Sequence, residues 1–274
     1  MKVRLGQISY VNVLPVYWGF RERNLSAFLD ITTAPPRILN RMLRNTMIDI
    51  SPVSSISYAQ NCNDWLIIPG LSIASRAAVM SVLLLHRIPF GRLSRKRIMV
   101  SDESETSVEL LRLCLRREHV FPLIEQGTIR RSMLDDPDIS ALLVIGDLAL
   151  ELAGEIPANQ KTDLGSYWRE WTGKPFVFAL WAVRKEFARK EPSLVRDAVA
   201  ALKASLEKGL RSLSVIIAHA SEKLGMDTDV MEAYFKGLSY ELDQEHEEGL
   251  RLFFDLSRER GSLKDPVPLE YFTS

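Results

Sequence analysis

Short apolar segments alternate with helically spaced apolar residues over the first two thirds of the chain. The apolar segments are bounded by turn residues, which is typical of strands buried in a sheet. The segments between them place apolar residues three or four positions apart, as one face of a helix requires. We predict an opening strand that holds Leu5 and Ile8 and further strands at residues 30–33, 48–53, 65–68, 79–85, 97–101, 140–146 and 176–183, with helices at residues 16–29, 56–60, 106–117 and 148–152 and another that holds Ile38, Leu39, Met42 and Leu43.

The last third of the chain differs, because its pattern is helical almost throughout. From Pro192 onward apolar residues recur every four positions, Gly225 ends the following helix, and residues 245–260 form the last long helix. Strands that alternate with helices predict parallel sheets covered by helices. A polar connection at residues 89–96 and a second crossing near residue 182 divide this pattern into two blocks.

The two blocks predict an α/β fold of two lobes joined by two hinge strands, with a helical C-terminal segment. We assign residues 1–90 and 183–274 to the first lobe and residues 91–182 to the second lobe, with a ligand cleft between them. The length of 274 residues is sufficient for two lobes of ordinary size.

Charge and hydropathy limit the classes of partner. Lys plus Arg and Asp plus Glu both number 35, so the chain lacks the basic excess that binding to nucleic acid requires. The basic cluster at residues 92–97 is interpreted as a solvated connection. Neither a signal peptide nor a run of about eighteen apolar residues is present in the sequence. We therefore expect a cytoplasmic protein that does not bind membranes.

The sequence favours neither a metal site nor a nucleotide site. Cys62 and Cys114 are far apart and are predicted to be reduced, buried thiols. The four histidines are scattered without the spacing of metal ligands. Glycine-rich phosphate loops and the Gly-x-Ser-x-Gly motif are also absent from the sequence. The candidate groups that remain are neutral side chains at strand ends and helix starts.

The first group of candidates follows the opening strand. Tyr10 and Asn12 lie at its carboxyl end, just before Pro15. Ligands of α/β sheets bind in the crevice beyond the carboxyl ends of strands, so both side chains are well placed to contact a small molecule. Polar strand ends are nevertheless common, and ordinary turn chemistry is the alternative interpretation.

A second group lies at the start of the predicted helix at residues 106–117. Thr106 and Glu109 have the spacing of a capping box, which predicts Thr106 as the N-cap. Free amide groups and the helix dipole make such a start an anion site, to which Ser104 and Ser107 could add hydroxyl donors. A plain cap facing water is the alternative. Three acidic side chains would repel an anion unless they point away, namely Asp102, Glu103 and Glu105.

Other strand ends carry further candidates. Ser54 and Ser55 lie at a second junction of strand and helix, and Ser81 lies in a stretch between two apolar strands. Gly146 and Asp147 end a buried strand, where Asp147 is predicted either to cap the next helix or to contact ligand. Taken singly, each of these residues is more often structural than functional. Together, such neutral groups suit a small anion bound between two lobes.

Taken in order, these segments resemble the chorismate dehydratase family of the futalosine route to menaquinone. The resemblance covers nearly the whole chain, and several blocks in one order are far more specific than any single block. The matching blocks are residues 4–15 (RLGQISYVNVLP), 48–58 (IDISPVSSISY), 68–75 (IPGLSIAS), 81–84 (SVLL), 106–107 (TS), 145–147 (IGD), 163–165 (DLG) with Trp168, 171–173 (WTG), 175–176 (PF) and 248–254 (EGLRLFF).

The resemblance implies a two-lobed fold like that of type 2 periplasmic binding proteins. It implies removal of water from chorismate to give 3-[(1-carboxyvinyl)oxy]benzoate, without a metal or organic cofactor. By position, Asn12 and Ser81 are implied to be active-site groups. The remaining implied roles are carboxylate binding by Thr106 and Ser107 and lining of the cleft by Ser54, Ser55 and Gly146. One departure is Ala77-Ala78 before Val79, where the family often has Gly-Pro.

This reaction would need orientation more than strong acid and base groups, because the product gains aromaticity. We expect Asn12 to hydrogen-bond the departing hydroxyl or the developing charge, and a carboxylate of the substrate to accept the proton. A cytoplasmic anion receptor of the same fold is one alternative function. The related 1,4-dihydroxy-6-naphthoate synthase is the other, although no candidate catalytic histidine occurs here.

Overall fold

Two β-sheets form the framework of the protein. The computed structural model describes residues 2–273. The six-stranded sheet contains β1 (Val3–Ile8), β2 (Leu29–Ala34), β3 (Ile50–Ser54), β4 (Trp65–Ser75), β10 (Phe176–Arg184) and β11 (Leu238–Ser239), in the order β11-β4-β10-β3-β1-β2. The five-stranded sheet contains β5 (Val82–His86), β6 (Arg97–Ser101), β7 (Leu123–Gly127), β8 (Ala141–Ile145) and β9 (Lys161–Asp163), in the order β7-β6-β8-β5-β9.

Helices cover both sheets and make up most of the last third of the chain. They are α1 (Leu14–Tyr17), α2 (Arg23–Ser26), α3 (Pro36–Arg44), α4 (Ser55–Gln60), α5 (Glu105–Arg117), α6 (Gly146–Ala153), α7 (Leu164–Thr172), α8 (Lys185–Lys190), α9 (Pro192–Arg211), α10 (Leu213–Leu224), α11 (Thr228–Gly237) and α12 (Gln244–Arg260). Within residues 2–273, no helix has both the length and the apolar character that crossing a bilayer would require.

The chain crosses between the sheets twice, at adjacent points. β4 leaves the six-stranded sheet and β10 returns to it, and these two strands pair with Phe176 opposite Ser75. Helix α7 packs against β5, β9 and α5, so we call residues 82–172 the second lobe and the remainder the first lobe. Residues 76–81 and 173–175 are then the two crossings.

The predicted lobe boundaries near residues 90 and 182 therefore differ from the sheet boundaries. Strand β5 pairs with β8 and β9 in the second lobe, although it precedes residue 90. Strand β10 lies between β3 and β4 in the first lobe, although most of it precedes residue 182. The polar connection at residues 89–96 joins two strands of one lobe, because a surface loop within a lobe has the same composition as a linker.

Apolar runs in the sequence correspond to strands that are covered on both faces. β3, β5 and β8 are buried along their whole length, and only Arg184 of β10 is partly exposed. β7 was not predicted, because most of its side chains face solvent at the edge of the sheet and it carries no apolar run. β4 is also longer than predicted, since it continues through Pro69 and Gly70 to Ser75.

The predicted helix at residues 16–29 is wrong. The chain there forms α1, a 3-10 turn at Trp18–Arg21 and α2. Helix α9 passes so close that a Cβ atom on Gly19 would lie 2.7 Å from Cα of Ser205, and the Gly19 N–H donates to Ser205 Oγ at 2.9 Å. This contact with a residue far along the chain interrupts the helix, and helical spacing alone cannot predict it.

Candidate active site

A small cavity lies between the lobes, where the carboxyl ends of β1 and β3 face the start of α5 and the end of β8. Its volume is about 50 Å³, with both polar and apolar groups in its wall. Six of the nine predicted site residues line it, namely Tyr10, Asn12, Ser54, Ser81, Ser107 and Gly146. The topology thus brings together side chains from five separate segments of the sequence.

Asn12 lies on a single 3-10 turn that follows the carboxyl end of β1. The turn spans Val11–Val13, and Oδ1 of Asn12 is buried with no hydrogen-bond partner among the described residues. The backbone around it is held firmly, because Tyr240 Oη donates to the Asn12 carbonyl at 2.8 Å. Buried amide oxygens nearly always have a donor, so this acceptor is available to a ligand in the cavity.

Tyr10 spans the cleft just before this turn. Its hydroxyl donates to Glu103 Oε2 at 2.5 Å, and its ring packs on the backbone of Gly146. Gly146 has a φ of +64°, and a Cβ atom there would lie 2.8 Å from the ring, so both the backbone and the close approach require glycine. Burial and then the Glu103 contact raise the pKa of Tyr10 far above its ordinary value, which keeps the phenol neutral.

Ser81 is the last residue of the first crossing, whose backbone is held by hydrogen bonds to an aspartate. The carboxylate of Asp163 accepts from the N–H groups of Val79 and Met80, the latter at 2.7 Å, and also caps α7 through Ser166 N. Met80 has a φ of +59°, a strained conformation that these bonds help to hold. Ser81 is further anchored because its carbonyl accepts from the Gly146 N–H at 2.8 Å.

Helix α5 starts one residue earlier than predicted, so Thr106 is not its N-cap. Ser104 caps the helix, with its hydroxyl accepting from Ser107 N at 3.2 Å. The capping-box interpretation fails because Glu109 does not reach back to Thr106. Its carboxylate instead accepts from Arg260 and Ser262 of the first lobe. Ser104 and Ser107 both line the cavity, and the Ser104 hydroxyl donates to the Ser107 hydroxyl at 3.0 Å.

Three of the predicted site residues lie outside the cavity wall, because their polar atoms are engaged elsewhere. The Ser55 hydroxyl is buried and donates to the Val177 carbonyl at 2.6 Å. The Thr106 hydroxyl accepts from the Ile56 N–H across the lobes at 3.2 Å. Asp147 accepts from the Val11 N–H at 3.0 Å and pairs with Lys223. None of the three is placed to contact a ligand in the cavity directly.

The acidic residues near α5 lie outside the wall of the cavity. Asp102, Glu103 and Glu105 line an open groove of about 510 Å³ outside it, together with Arg37, Arg41 and Arg44 from α3. The side chain of Glu105 accepts from the Ser57 hydroxyl, and the Glu103 carbonyl accepts from Arg37 N at 3.1 Å. The cavity itself is lined by neutral side chains.

Comparison with known proteins assigns the chain to a family. A family model described as menaquinone biosynthesis matches residues 3–259. The chain belongs to this family. A chorismate dehydratase of Thermus thermophilus is 30% identical to it over 264 residues, which cover 91% of this chain and 93% of that protein. The resemblance seen in the sequence motifs is thereby confirmed.

Solved structures place this member of the menaquinone biosynthesis family in the periplasmic-binding-protein-like fold. A protein from Archaeoglobus fulgidus superposes with a TM-score of 0.78 at 16% identity, covering 96% of this chain and 98% of that chain. The periplasmic aliphatic sulphonate binding protein of Escherichia coli gives a TM-score of 0.66 at 15% identity, covering 98% and 90%. The predicted two-lobed α/β architecture with a helical C-terminal segment is confirmed.

The Ala77-Ala78 departure occurs at the first crossing of this family member. Both residues are exposed, and the buried Ser75 hydroxyl lies within hydrogen-bond distance of their two carbonyl oxygens, at 2.7 and 2.9 Å. This contact and the Asp163 carboxylate together define the backbone that leads to Ser81. The turn therefore forms from these residues without a proline.

Sequence reasoning missed the apolar part of the cavity wall in this family member. Ile73 of β4 and Phe178 and Ala179 of β10 line it, as does Pro36 at the start of α3. Their apolar character predicted burial, but burial in a core and burial against a cavity have the same sequence pattern. Ser104 was considered only as a hydroxyl donor at the helix start, where it proves to be the N-cap.

The two cysteines of this family member are free, and they differ in burial. Cys114 is buried, which raises the pKa of its thiol, whereas Cys62 is only half-buried. The predicted burial is therefore confirmed for Cys114 and wrong for Cys62. Within residues 2–273, no group of three His, Cys, Asp or Glu side chains could hold a metal ion.

Proposed function

We propose that this protein is a chorismate dehydratase, which converts chorismate to 3-[(1-carboxyvinyl)oxy]benzoate and water in the cytoplasm. The observation that carries the proposal is the buried, unpartnered Oδ1 of Asn12 in a cavity of neutral hydroxyls between two lobes. Family membership and similarity to a chorismate dehydratase along nine tenths of the chain support the same substrate.

The reaction breaks two bonds on neighbouring ring carbons. A proton leaves the carbon that bears the enolpyruvyl ether, hydroxide leaves the adjacent carbon, and the two combine as water. The electron pair of the broken C–H bond completes an aromatic ring, which supplies the driving force. A site that orients the substrate and supports the leaving hydroxyl can therefore suffice.

Asn12 is the group proposed to support the departing hydroxyl. Its free Oδ1 can accept a hydrogen bond from that hydroxyl, which orients the C–O bond against the ring. Ser81, which also lines the cavity, is proposed as a second group that contacts the reacting part of the substrate. The Oδ1 contact orients the substrate, whereas hydrogen bonds donated by the Asn12 amide N–H and the Ser81 hydroxyl are expected to strengthen as negative charge develops on the departing oxygen.

The carboxylates of the substrate are proposed to bind hydroxyls and the start of α5. Ser107 lies in the first turn of this helix and lines the cavity, and Ser54 lies across from it at the end of β3. The positive end of the helix dipole favours an anion at this position.

A carboxylate of the substrate is also the proposed acceptor for the ring proton. The only ionisable side chain among the described residues that line the cavity is Tyr10, and its raised pKa disfavours the phenolate. As a neutral phenol that already donates to Glu103, Tyr10 is a poor base. Proton removal by the substrate itself needs no protein base.

Lobe opening is part of the proposed cycle. Pockets that bury small ligands usually measure roughly 300–1,000 Å³, whereas this cavity measures about 50 Å³. Substrate entry therefore requires the lobes to separate at the two crossings and to close again around the ligand.

Incubation of the purified protein with chorismate tests the function directly. We expect mass spectrometry to detect a product lighter than chorismate by one water, with the ultraviolet spectrum of an aromatic ring. A folded protein that binds chorismate without releasing this product would contradict the proposal and favour an anion receptor. A folded protein that neither binds nor converts chorismate would favour the related 1,4-dihydroxy-6-naphthoate synthase, whose product can be sought in the same way.

A further inference from the structure

Two carboxylates of the second lobe contact the residues immediately before Asn12. Glu103 accepts from the Tyr10 hydroxyl at 2.5 Å, and Asp147 Oδ1 accepts from the Val11 N–H at 3.0 Å. Both bonds cross from one lobe to the other and end on consecutive residues, Tyr10 just before the turn that carries the site amide and Val11 at its start. We propose that Asp147 and Glu103 form a clasp that places Asn12 in its working position when the lobes close.

Asp147 acts in this clasp as a cap supplied by the opposite lobe. The Val11 N–H is the first free donor of the 3-10 turn, and the side chain of Tyr10, which precedes it, makes no capping bond. Asp147 lies in the first turn of α6 and fills this place. A carboxylate at the amino end of a turn satisfies a free N–H and favours the helical backbone.

The clasp has a geometric partner in Gly146. The Tyr10 ring sits so close to this glycine that no side chain would fit between them. Ring, hydroxyl and the next N–H of one short segment thus all contact the second lobe. These contacts cannot persist if the lobes separate, so the turn loses its cap whenever the cleft opens.

The carbonyl side of the turn is held differently. Tyr240 Oη donates to the Asn12 carbonyl, and Tyr240 belongs to the first lobe, where its own carbonyl accepts from Ser72 N at 2.9 Å. This anchor remains in either arrangement of the lobes. Closure therefore changes the amino end of the turn only, and Asn12 is brought into position around a fixed point.

This inference rests on the proposed function for its kinetic consequence, though not for its structural one. Asp147→Ala removes the cap, and we expect kcat to fall about tenfold, the value of one hydrogen bond, with a smaller change in KM. Asp147→Asn keeps an oxygen acceptor at the same position and should restore kcat to within about twofold of wild type. If Asp147 contributed only to global stability, kcat measured per folded molecule would be the same in Asp147→Ala, Asp147→Asn and wild type.

Lys223→Gln is the matched control. Lys223 contacts the other oxygen of Asp147 at 3.1 Å and is half-exposed, so its loss leaves the bond to Val11 in place. We expect this variant to keep kcat within about twofold of wild type. Equal losses for Lys223→Gln and Asp147→Ala would overturn the clasp in favour of a charge effect.

Hydrogen exchange of the Val11 amide tests the clasp independently of the proposed dehydratase function. We expect exchange to be about tenfold faster in Asp147→Ala than in wild type, Asp147→Asn or Lys223→Gln. Equal exchange in all four proteins overturns the clasp, as does an unchanged kcat in Asp147→Ala. If the wild-type protein does not convert chorismate, the proposed function fails, and the exchange result alone decides the clasp.

Discussion

Among the contacts that join the lobes, the clasp and a second contact centred on Glu109 differ in chemistry. The clasp beside the cavity consists of two hydrogen bonds, one from a phenol and one from a backbone N–H. The second contact, which we call the tether, is formed by Glu109 of α5 with Arg260 and Ser262. Arg260 binds the two carboxylate oxygens at 2.9 and 2.7 Å, and Glu109 is only 3% exposed.

The difference indicates a division of labour between holding the lobes together and aligning the site. A buried carboxylate with a forked guanidinium partner is strongly penalised when that partner is removed, so the tether should contribute chiefly to stability. The clasp contains no ion pair at the Asn12 turn and ends on residues adjacent to the cavity. It should therefore contribute chiefly to activity.

The largest expected effect is on activity and follows from Asn12→Ala. Loss of a preorganised group at the reacting bond should lower kcat about 10²-fold, as in other sites that stabilise developing charge. The free energy of unfolding should change little, because Oδ1 makes no bond in the folded protein. Steady-state kinetics and urea unfolding of the same preparation check both parts. Near wild-type turnover would remove Asn12 from the mechanism.

The next effect is on stability and follows from Glu109→Ala. Leaving Arg260 without its buried partner should lower the free energy of unfolding by about 2–3 kcal/mol. Asp255→Ala is the control. The pair of Asp255 with Arg258 within α12 is exposed and should contribute about 0.5 kcal/mol or less. Urea unfolding measures both variants. Equal losses in the two would contradict a special role for the tether.

A smaller effect is expected for Tyr10→Phe, which removes one bond of the clasp and keeps the ring. The ring should remain on Gly146, so the cavity wall is preserved. We expect kcat to fall roughly fivefold, less than for Asn12→Ala, because the Asp147 bond to Val11 persists. A loss as large as that of Asn12→Ala would instead indicate that the phenol contacts the reacting atoms.

The smallest effect is the pH dependence of stability that arises from Asp243, which pairs with Arg76 of the first crossing. Burial opposes ionisation of Asp243, but bonds from the His246 N–H and ring prevail and lower its pKa to about 2, below the ordinary 3.8. Its carboxylate therefore stabilises the folded state above about pH 4, and this contribution is lost as the pH falls towards 2. The side chain is 39% exposed and also meets Arg76, so screening limits its value to about 1 kcal/mol.

Unfolding of wild type and Asp243→Asn at two pH values checks this sign. The wild-type protein should be the more stable of the two at pH 7, and the difference should shrink at pH 2.5. A difference that grows on acidification would contradict the lowered pKa. Neither the clasp nor the tether should change with this variant, since Asp243 belongs to neither.

Much of the fold could be predicted because its strands are buried on both faces. Such strands appear as continuous apolar runs, which is why β3, β5, β8 and β10 were found. The polar edge strand β7 has no such pattern and was missed. The helix break at Gly19 depends on Ser205, 186 positions away, so the local spacing of apolar residues could not predict it.

The candidate site shows the same limit. Polar residues at strand ends predicted most of the polar side chains in the cavity wall, because the carboxyl ends of strands converge in an α/β sheet. The clasp joins residues 93 and 136 positions apart, so neither bond could be read from the sequence. Asp147 was for this reason interpreted as a ligand contact or as a cap of its own helix, whereas it caps a turn of the other lobe.

The division of labour between clasp and tether is tested most directly by measuring kcat and the free energy of unfolding for Asp147→Ala and Glu109→Ala side by side. We predict a crossed result, in which Asp147→Ala loses about tenfold in kcat and about 1 kcal/mol of stability, and Glu109→Ala loses about 2–3 kcal/mol of stability with kcat nearly unchanged in the folded protein. Parallel losses of activity and stability in both variants would contradict the account.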